Sequence, residues 1–529
     1  MKLNINKRDF LDSVKNGNIP PLYIEIPYFE PYIVYESLGC SANSILLESV
    51  KGPYKIACYS FIAFDPYLIF RVKDGKISIG SRVNPVRSDA SNGVKGQGSK
   101  FKETVSSRPP LERLKELVAA YPQKYVPELP PFQGGAIGLL SYDFVRYIEN
   151  IPKNAVDDLC IPDAHFFMAD NAIAFDHQQE KAWLIVSPGA RDTGLGYRDI
   201  SHIDWNMAYE EAVERLKAIG NRIKVKGKRK EDISKPFAFN HSPFAPLNYE
   251  MSKEQYMDIV RRAKEYIAAG DIFQANLSQR ISAEIGDKDP WEIYKVLRMV
   301  NPSPFAAYAD FGNYHVVSSS PERLIKVKDN VIETRPIAGT RPRGRDFKED
   351  KQMRVELLLN EKERAEHIML IDLERNDIGR VSRYGSVAVD ELMITEDYSH
   401  VIHIVSNVRG ILEKEKTCFD VIKAAFPGGT ITGVPKVRCM EIIDELEPVQ
   451  RGPYTGSLGY IGFSGNMDLN IIIRTFVIKD GFAYVQAGAG IVADSDPERE
   501  YYETLKKAEA LIKTLEIVGG RGKNALFGL

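Results

Sequence analysis

The run from Ile471 to Lys507, IIIRTFVIKDGFAYVQAGAGIVADSDPEREYYETLKK, decides the fold class. Residues 469–479 and 482–492 read as consecutive strands, and 500–515 as a helix. Strands in succession with helices segregated from them indicate α+β architecture rather than a parallel βαβ fold. The helix carries Glu500 and Glu503, three residues apart, with Lys507 four further on, so all three share one face. Far upstream, NEKERAEHIML repeats the arrangement with Glu363 and Glu366. Brought together, the two pairs would form a four-carboxylate cluster, whose mutual repulsion a hard divalent cation such as Mg²⁺ relieves. From spacing alone, two solvated surface faces account for the pairs better. The neighbouring segments therefore decide the matter.

The whole chain sets bounds. At 529 residues it is too long for one small core, and 44% apolar with 27% charged residues is ordinary for a soluble globular protein. Seventy basic against 72 acidic residues imply no basic face, so nucleic acid is not expected as a partner. No apolar run reaches membrane-spanning length, and the first eighteen residues are too polar for a secretory signal. Five scattered cysteines form no CxxC pair, which fits a reducing cytoplasm.

Residues 20–80 alternate as short strands, whereas 81–108, rich in Ser, Gly, Lys and Asn, read as a flexible insertion. Helices are expected at 110–120, 206–224, 252–269 and 350–371, and strands at 272–284, 304–310, 315–319, 323–334, 401–412 and 456–463. The polar, proline-bearing stretch around 227–249 is the most plausible linker. It separates an N-terminal region, 1–226, from a C-terminal domain, 250–518, followed by a tail at 519–529.

The C-terminal half reads as pieces of one pocket. QAGAGIV offers Gly488 and Gly490, where backbone can approach a ligand closely. Arg474 lies among apolar strand residues, and either a carboxylate ligand or an acidic neighbour in the sheet could pair with it. RPIAGTRPRG places Gly339 and Thr340 in a turn. FPGGTITGVPK is a glycine loop ahead of a helix, a weak anion-cradle signal. His403 falls inside an apolar run, either as a tunable base or as a satisfied core histidine, and His400 lies on the opposite face. Glu322, at the turn ending a strand, could serve as a general acid.

The order FQGGAIG, FQANLSQR, NPSPFAAY, SSSPER, TRPIAGTRPRG, NEKERAEHIMLIDLERNDIGRV, SHVIHIVS, FPGGTITGVPKVRCMEI, RGPYTGSLGY, IIIRT, QAGAGIVADSDPEREYYET resembles the chorismate-utilising enzymes. The match runs over about 250–515, and residues 20–190 look like the N-terminal part of the aminating members. The resemblance implies a sandwich of orthogonal antiparallel β-sheets with helices outside and the active site between them. It assigns Mg²⁺ to Glu363, Glu366, Glu500 and Glu503. It assigns the substrate carboxylates to Tyr454, Arg474, Gly488, Gly490 and Lys507, with Gly339 and Thr340 beside the ring. Glu322 would assist loss of the 4-hydroxyl, His403 would face the ring, and Lys507 would take part in catalysis. SILLESV resembles a tryptophan-binding segment, with Ser49 and the loop reaching Pro304 around the amino acid. Phe305 and Ala306 replace the more usual Tyr-Met there, which puts feedback control in question.

Within the family, water-using members carry a lysine where this chain has Gln274, so ammonia is the expected nucleophile. FQANLSQR, NPSPFAAY, SSSPER, DLERND, FPGGTITG and MDLNIIIRT resemble aminodeoxychorismate synthase component I, which aminates chorismate at C4 towards 4-aminobenzoate and folate. Against them stands Ala338, where many 4-aminating members have lysine and anthranilate synthases have alanine. C4 amination is thus the first reading and anthranilate synthesis the alternative. A non-catalytic amino-acid-binding subunit is a third reading, which the four retained glutamates oppose. No Cys-His-Glu glutaminase set is evident, so ammonia is expected from a separate glutamine amidotransferase subunit.

Overall fold

The computed structural model describes residues 2–40, 42–82, 101–106, 108–193, 200–223, 246–397 and 401–519. His400, most of the 81–108 insertion and most of the 227–249 linker lie outside these. Among the described residues, two antiparallel sheets of twelve strands each carry the fold. In the first, Ser44–Glu48 and Tyr59–Ala63 continue directly into Phe305–Asp310, His315–Ser320, Thr475–Lys479, Phe482–Ile491 and Gln274–Glu284. In the second, Gly135–Leu140 pairs with Ser457–Gly462, joining the N-terminal strands to Arg323–Lys328, Val401–Ile411 and Ile337–Pro342. The 227–249 stretch therefore divides the sequence without dividing the sheets. The joints are in close register, Tyr308 opposite Leu46 and Tyr460 opposite Ile137.

Strands buried on both faces explain the nearly unbroken apolar runs. A core of Ile45, Phe61, Ile137, Phe167, Ala307 and Tyr460 fills the space between the sheets. Helices Trp205–Arg222, Pro290–Val300 and Pro497–Val518 cover one face of the first sheet, Lys436–Leu446 packs against Gln274–Glu284 of that same sheet, and Pro110–Ala119 and Cys418–Ala425 cover the second. No described helix is long and apolar enough to cross a membrane.

Four expectations are corrected. The helix expected at 350–371 is two, Phe347–Leu359 and Glu361–Gly379, because Asn360 leaves helical geometry and caps the second through Glu363 N at 3.0 Å. The insertion at 81–108 ends in a strand, Phe101–Ser106, paired with Lys76–Arg82. Gly339 and Thr340 lie in strand Ile337–Pro342, at a bulge where Gly339 adopts φ +62°. Arg474 precedes its strand rather than lying in it, with φ +50°, a strained conformation for a non-glycine residue.

Candidate active site

Strand Gln274–Glu284 pairs with Phe482–Ile491 so that Asn276 faces Gly490 and Ser278 faces Gly488. The glycines leave space that side chains use. A Cβ on Gly488 would stand 2.5 Å from Asn276 Oδ1 and 2.8 Å from the Tyr454 hydroxyl. A Cβ on Gly490 would stand 2.5 Å from Gln274 Nε2. Gln274 Oε1 and Asn276 Oδ1 are buried acceptors without a hydrogen-bond partner among the described residues. Such orphaned acceptors are uncommon in a native core and fit a polar ligand. Asn276 is a site residue that sequence reading missed; its position two residues from Gln274, on the same strand face, was the available signal.

Beneath this floor, Arg451 is buried and bound to Glu447 through two contacts, at 2.9 and 2.6 Å. It also donates to the carbonyls of Asn276 and Ile431 and stacks against Tyr142 and Tyr454. Glu447 in turn accepts from Ser278 N and Oγ, both at 2.8 Å. The network ties strand, loop and helix into one rigid support for Tyr454. Neither partner was singled out from sequence, since a lone Arg and Glu four apart read as an ordinary helix-surface pair.

Glu322 follows strand His315–Ser320 and is only 6% exposed. Burial pushes its carboxyl up to about 8, with the charge of Glu374 adding and the Thr430 hydroxyl, the Ile337 N–H and Arg474 opposing. Thr430, from the glycine loop, donates to Glu322 Oε1 at 2.9 Å. His403 is also buried, and desolvation lowers it to about 4, with the nearby charge of Arg474 assisting. Its Nδ1 lies 3.1 Å from the Gly339 carbonyl and 3.0 Å from Thr340 Oγ1. A carbonyl only accepts, so Nδ1 carries the proton and Nε2 is the basic nitrogen. Arg474 thus acts on both groups: an acid protonated at neutral pH and a neutral imidazole share one cation.

The two glutamate pairs approach each other. Lys362, beside Glu363, bonds Asp494 at 3.0 Å, linking the start of the Glu361–Gly379 helix to the loop before Pro497–Val518. Burial raises Glu366, with the charges of Glu363, Asp494 and Glu503 adding and Lys362 opposing. Glu500 is likewise raised by burial and by Glu503, against Ser495, Lys507 and Lys362. The expected four-carboxylate cage is nevertheless not formed. Among the described residues no three His, Cys, Asp or Glu side chains converge closely enough to hold a metal ion. Two of the four carboxylates are held in ion pairs, Glu363 with Arg341 at 2.7 Å and Glu503 with Lys507 at 2.8 Å. The donors still suit Mg²⁺ in kind. Glu363 Oε2 is buried without a hydrogen-bond partner among the described residues, facing Gly339, where a Cβ would come within 2.7 Å of it.

Lys507 also donates to the Gly488 carbonyl at 2.9 Å, so the helix bearing Glu500 and Glu503 is stitched to the glycine strand. Lys436 is engaged elsewhere, against Asp377 and the Ala425 carbonyl. Ser49 donates to the Pro304 carbonyl at 2.9 Å, bringing the two expected amino-acid-pocket segments together. Its N–H bonds Ser60, which contacts His177 and, through it, Tyr28. Phe305 packs under the Arg323 guanidinium at 5.1 Å, and Ala306 is buried opposite Glu48.

The family model described as chorismate binding enzyme matches residues 66–513. The chain is 43% identical to "Anthranilate synthase component 1" of Acetivibrio thermocellus over 96% of its length and 97% of that protein's. It is also 43% identical to "Aminodeoxychorismate synthase component 1" of Bacillus subtilis, over 91% of this chain and 94% of the other. Anthranilate synthase component I from Streptococcus pneumoniae superimposes with a TM-score of 0.71 at 35% identity, covering 86% of this chain and 92% of that one. The family model and these relatives make the chain a member of the chorismate-binding enzyme family.

Proposed function

We propose that this chain aminates chorismate at C4 with ammonia, giving 4-amino-4-deoxychorismate, and that Glu322 is the acid that expels the 4-hydroxyl. The observation that carries the reading is the buried carboxyl of Glu322, pushed up to about 8 and therefore protonated at neutral pH. Hydroxide is a poor leaving group, so the step needs a proton donor. As the nitrogen–C4 bond forms and the C4–oxygen bond breaks, Glu322 protonates the departing oxygen, which leaves as water. The proton that the incoming ammonia sheds would pass to a further ammonia or water, and His403, held neutral by burial with Nε2 unprotonated, would face the ring as a weak base. Arg474, Tyr454 and the backbone at Gly488 and Gly490 would bind the substrate carboxylates, with Gly339 and Thr340 beside the ring. Glu363, Glu366, Glu500 and Glu503 would hold Mg²⁺, which supplies neutralising charge to the bound anion.

No lysine replaces Ala338 in attacking the ring: Lys436 and Lys507 are both engaged in ion pairs, so direct attack by ammonia is the proposed route. The "component 1" in the names of both relatives supports a separate glutamine amidotransferase component as the ammonia source. Anthranilate synthesis is the second reading, favoured by Ala338 and by the 43% identity to an anthranilate synthase component. One assay separates them. The chain is incubated with chorismate, Mg²⁺ and ammonium, and 4-amino-4-deoxychorismate lyase is added afterwards. 4-Aminobenzoate that forms only after the lyase supports C4 amination; pyruvate and fluorescent anthranilate before it overturn that choice.

A further inference from the structure

Glu374 and Asp377 lie three residues apart on helix Glu361–Gly379 and are 4% and 2% exposed. Asp377 has a counter-ion in Lys436. Among the described residues no lysine or arginine forms an ion pair with Glu374. Its Oε2 lies 3.1 Å from Thr334 Oγ1, whose hydroxyl also faces the Leu324 carbonyl at 2.9 Å. Its Oε1 lies beside Gly429, where an added Cβ would come within 3.8 Å. The next residue, Thr430, donates to Glu322 Oε1 at 2.9 Å. The Gly429–Thr430 dipeptide therefore has a buried carboxyl on each side, Glu374 against its backbone and Glu322 against its side chain.

We propose that Glu374 is a positioning residue for Glu322, its carboxylate across the Gly429–Thr430 dipeptide holding the acidic proton on Glu322 in the resting enzyme. This rests on the reading of Glu322 as the acid. Two carboxyls flanking one dipeptide in a dry site resist being charged together, so one keeps a proton. The surroundings choose which. Burial first, and then the charge of Asp377, raise Glu374 to about 7, while the Lys436 ammonium, the Thr334 hydroxyl and the Gly429 N–H favour its anion and keep it below Glu322. Glu322 is faced by Glu374 and Arg474, the Thr430 hydroxyl and the Ile337 N–H. Burial and the Glu374 charge outweigh the other three, and the proton stays on Glu322.

The test is the pH profile of kcat for chorismate amination by the full chain, with un-ionised ammonia held saturating. Wild type should show an alkaline limb from ionisation of Glu322. Glu374→Gln keeps the shape and removes the charge, and should move that limb to lower pH by about one unit; Glu374→Asp should return it towards wild type. An unmoved limb in Glu374→Gln, or no recovery in Glu374→Asp, overturns the proposal. If Glu374→Gln does not fold, the pair is read in Glu322→Gln by infrared titration of protonated carboxyls. The higher-pH ionisation should then be lost while Glu374, which ionises beside a neutral Glu322, titrates as in wild type; a higher-pH ionisation that persists overturns the proposal. Normal turnover by Glu322→Gln would instead remove the reading of Glu322 on which the proposal rests, a distinct result.

Discussion

Glu322→Gln should make a far slower enzyme that is more stable at alkaline pH. The Glu322 carboxyl is raised from 4.5 to about 8 on folding, chiefly by burial. The native state therefore binds a proton that the unfolded chain releases above pH 4.5. The sign follows from linkage: a raised pKa contributes stability that is complete below the unfolded value and lost as pH rises through the folded one. At about 1.4 kcal/mol per pH unit, the loss reaches about 3 kcal/mol at pH 7 and levels off near 5 kcal/mol above pH 8. Glutamine has the same shape and no proton to lose, so it escapes that cost. The variant's stability relative to wild type should grow steadily from pH 5 to pH 8.5 and then flatten. Turnover should fall by about 10²–10⁴-fold, the usual contribution of a general acid, with chorismate affinity little changed. Denaturant midpoints for both proteins across this range, beside steady-state kinetics, measure the two effects. Parallel stability curves would refute the buried protonated carboxyl, and near-normal turnover would remove Glu322 from its role.

Gly339→Ala forces a left-handed residue to carry a Cβ, which would lie 2.7 Å from Glu363 Oε2 and 2.9 Å from Leu357 Cδ1. A cost of about 1–2 kcal/mol in stability is expected from the backbone alone, with a raised chorismate KM, seen by melting and kinetics. Arg451→Leu leaves Glu447 buried and unpaired, and should destabilise the chain by about 3–5 kcal/mol, read from denaturant midpoints. Chelation with EDTA should abolish turnover and Mg²⁺ restore it; Glu500→Gln should raise the Mg²⁺ concentration for half-maximal rate by tenfold or more. Chelator-resistant turnover would contradict the assignment of the four glutamates.

What could be read without coordinates was local. Short apolar runs such as Ser44–Glu48 and Phe482–Ile491 appear as strands because a strand buried on both faces is apolar along its length, and Glu363 with Glu366, or Glu500 with Glu503, share faces because a helix turns every 3.6 residues. Gly488 and Gly490 were legible because only glycine leaves room at that strand for Asn276, Tyr454 and Gln274. Other features depend on partners distant in the chain. Strand Ser44–Glu48 meets Phe305–Asp310 across some 260 residues, and no local pattern encodes that register. Arg474 left its expected strand for a left-handed turn, whereas Asn360 split a helix through a local cap on Glu363 N. The proton on Glu322, the neutrality of His403 and the place of Glu374 follow from burial and from neighbours across the fold. Sequence supplied the chemical groups and their spacing along each element; only packing set the dielectric and the charges around them, and those determine which group holds a proton.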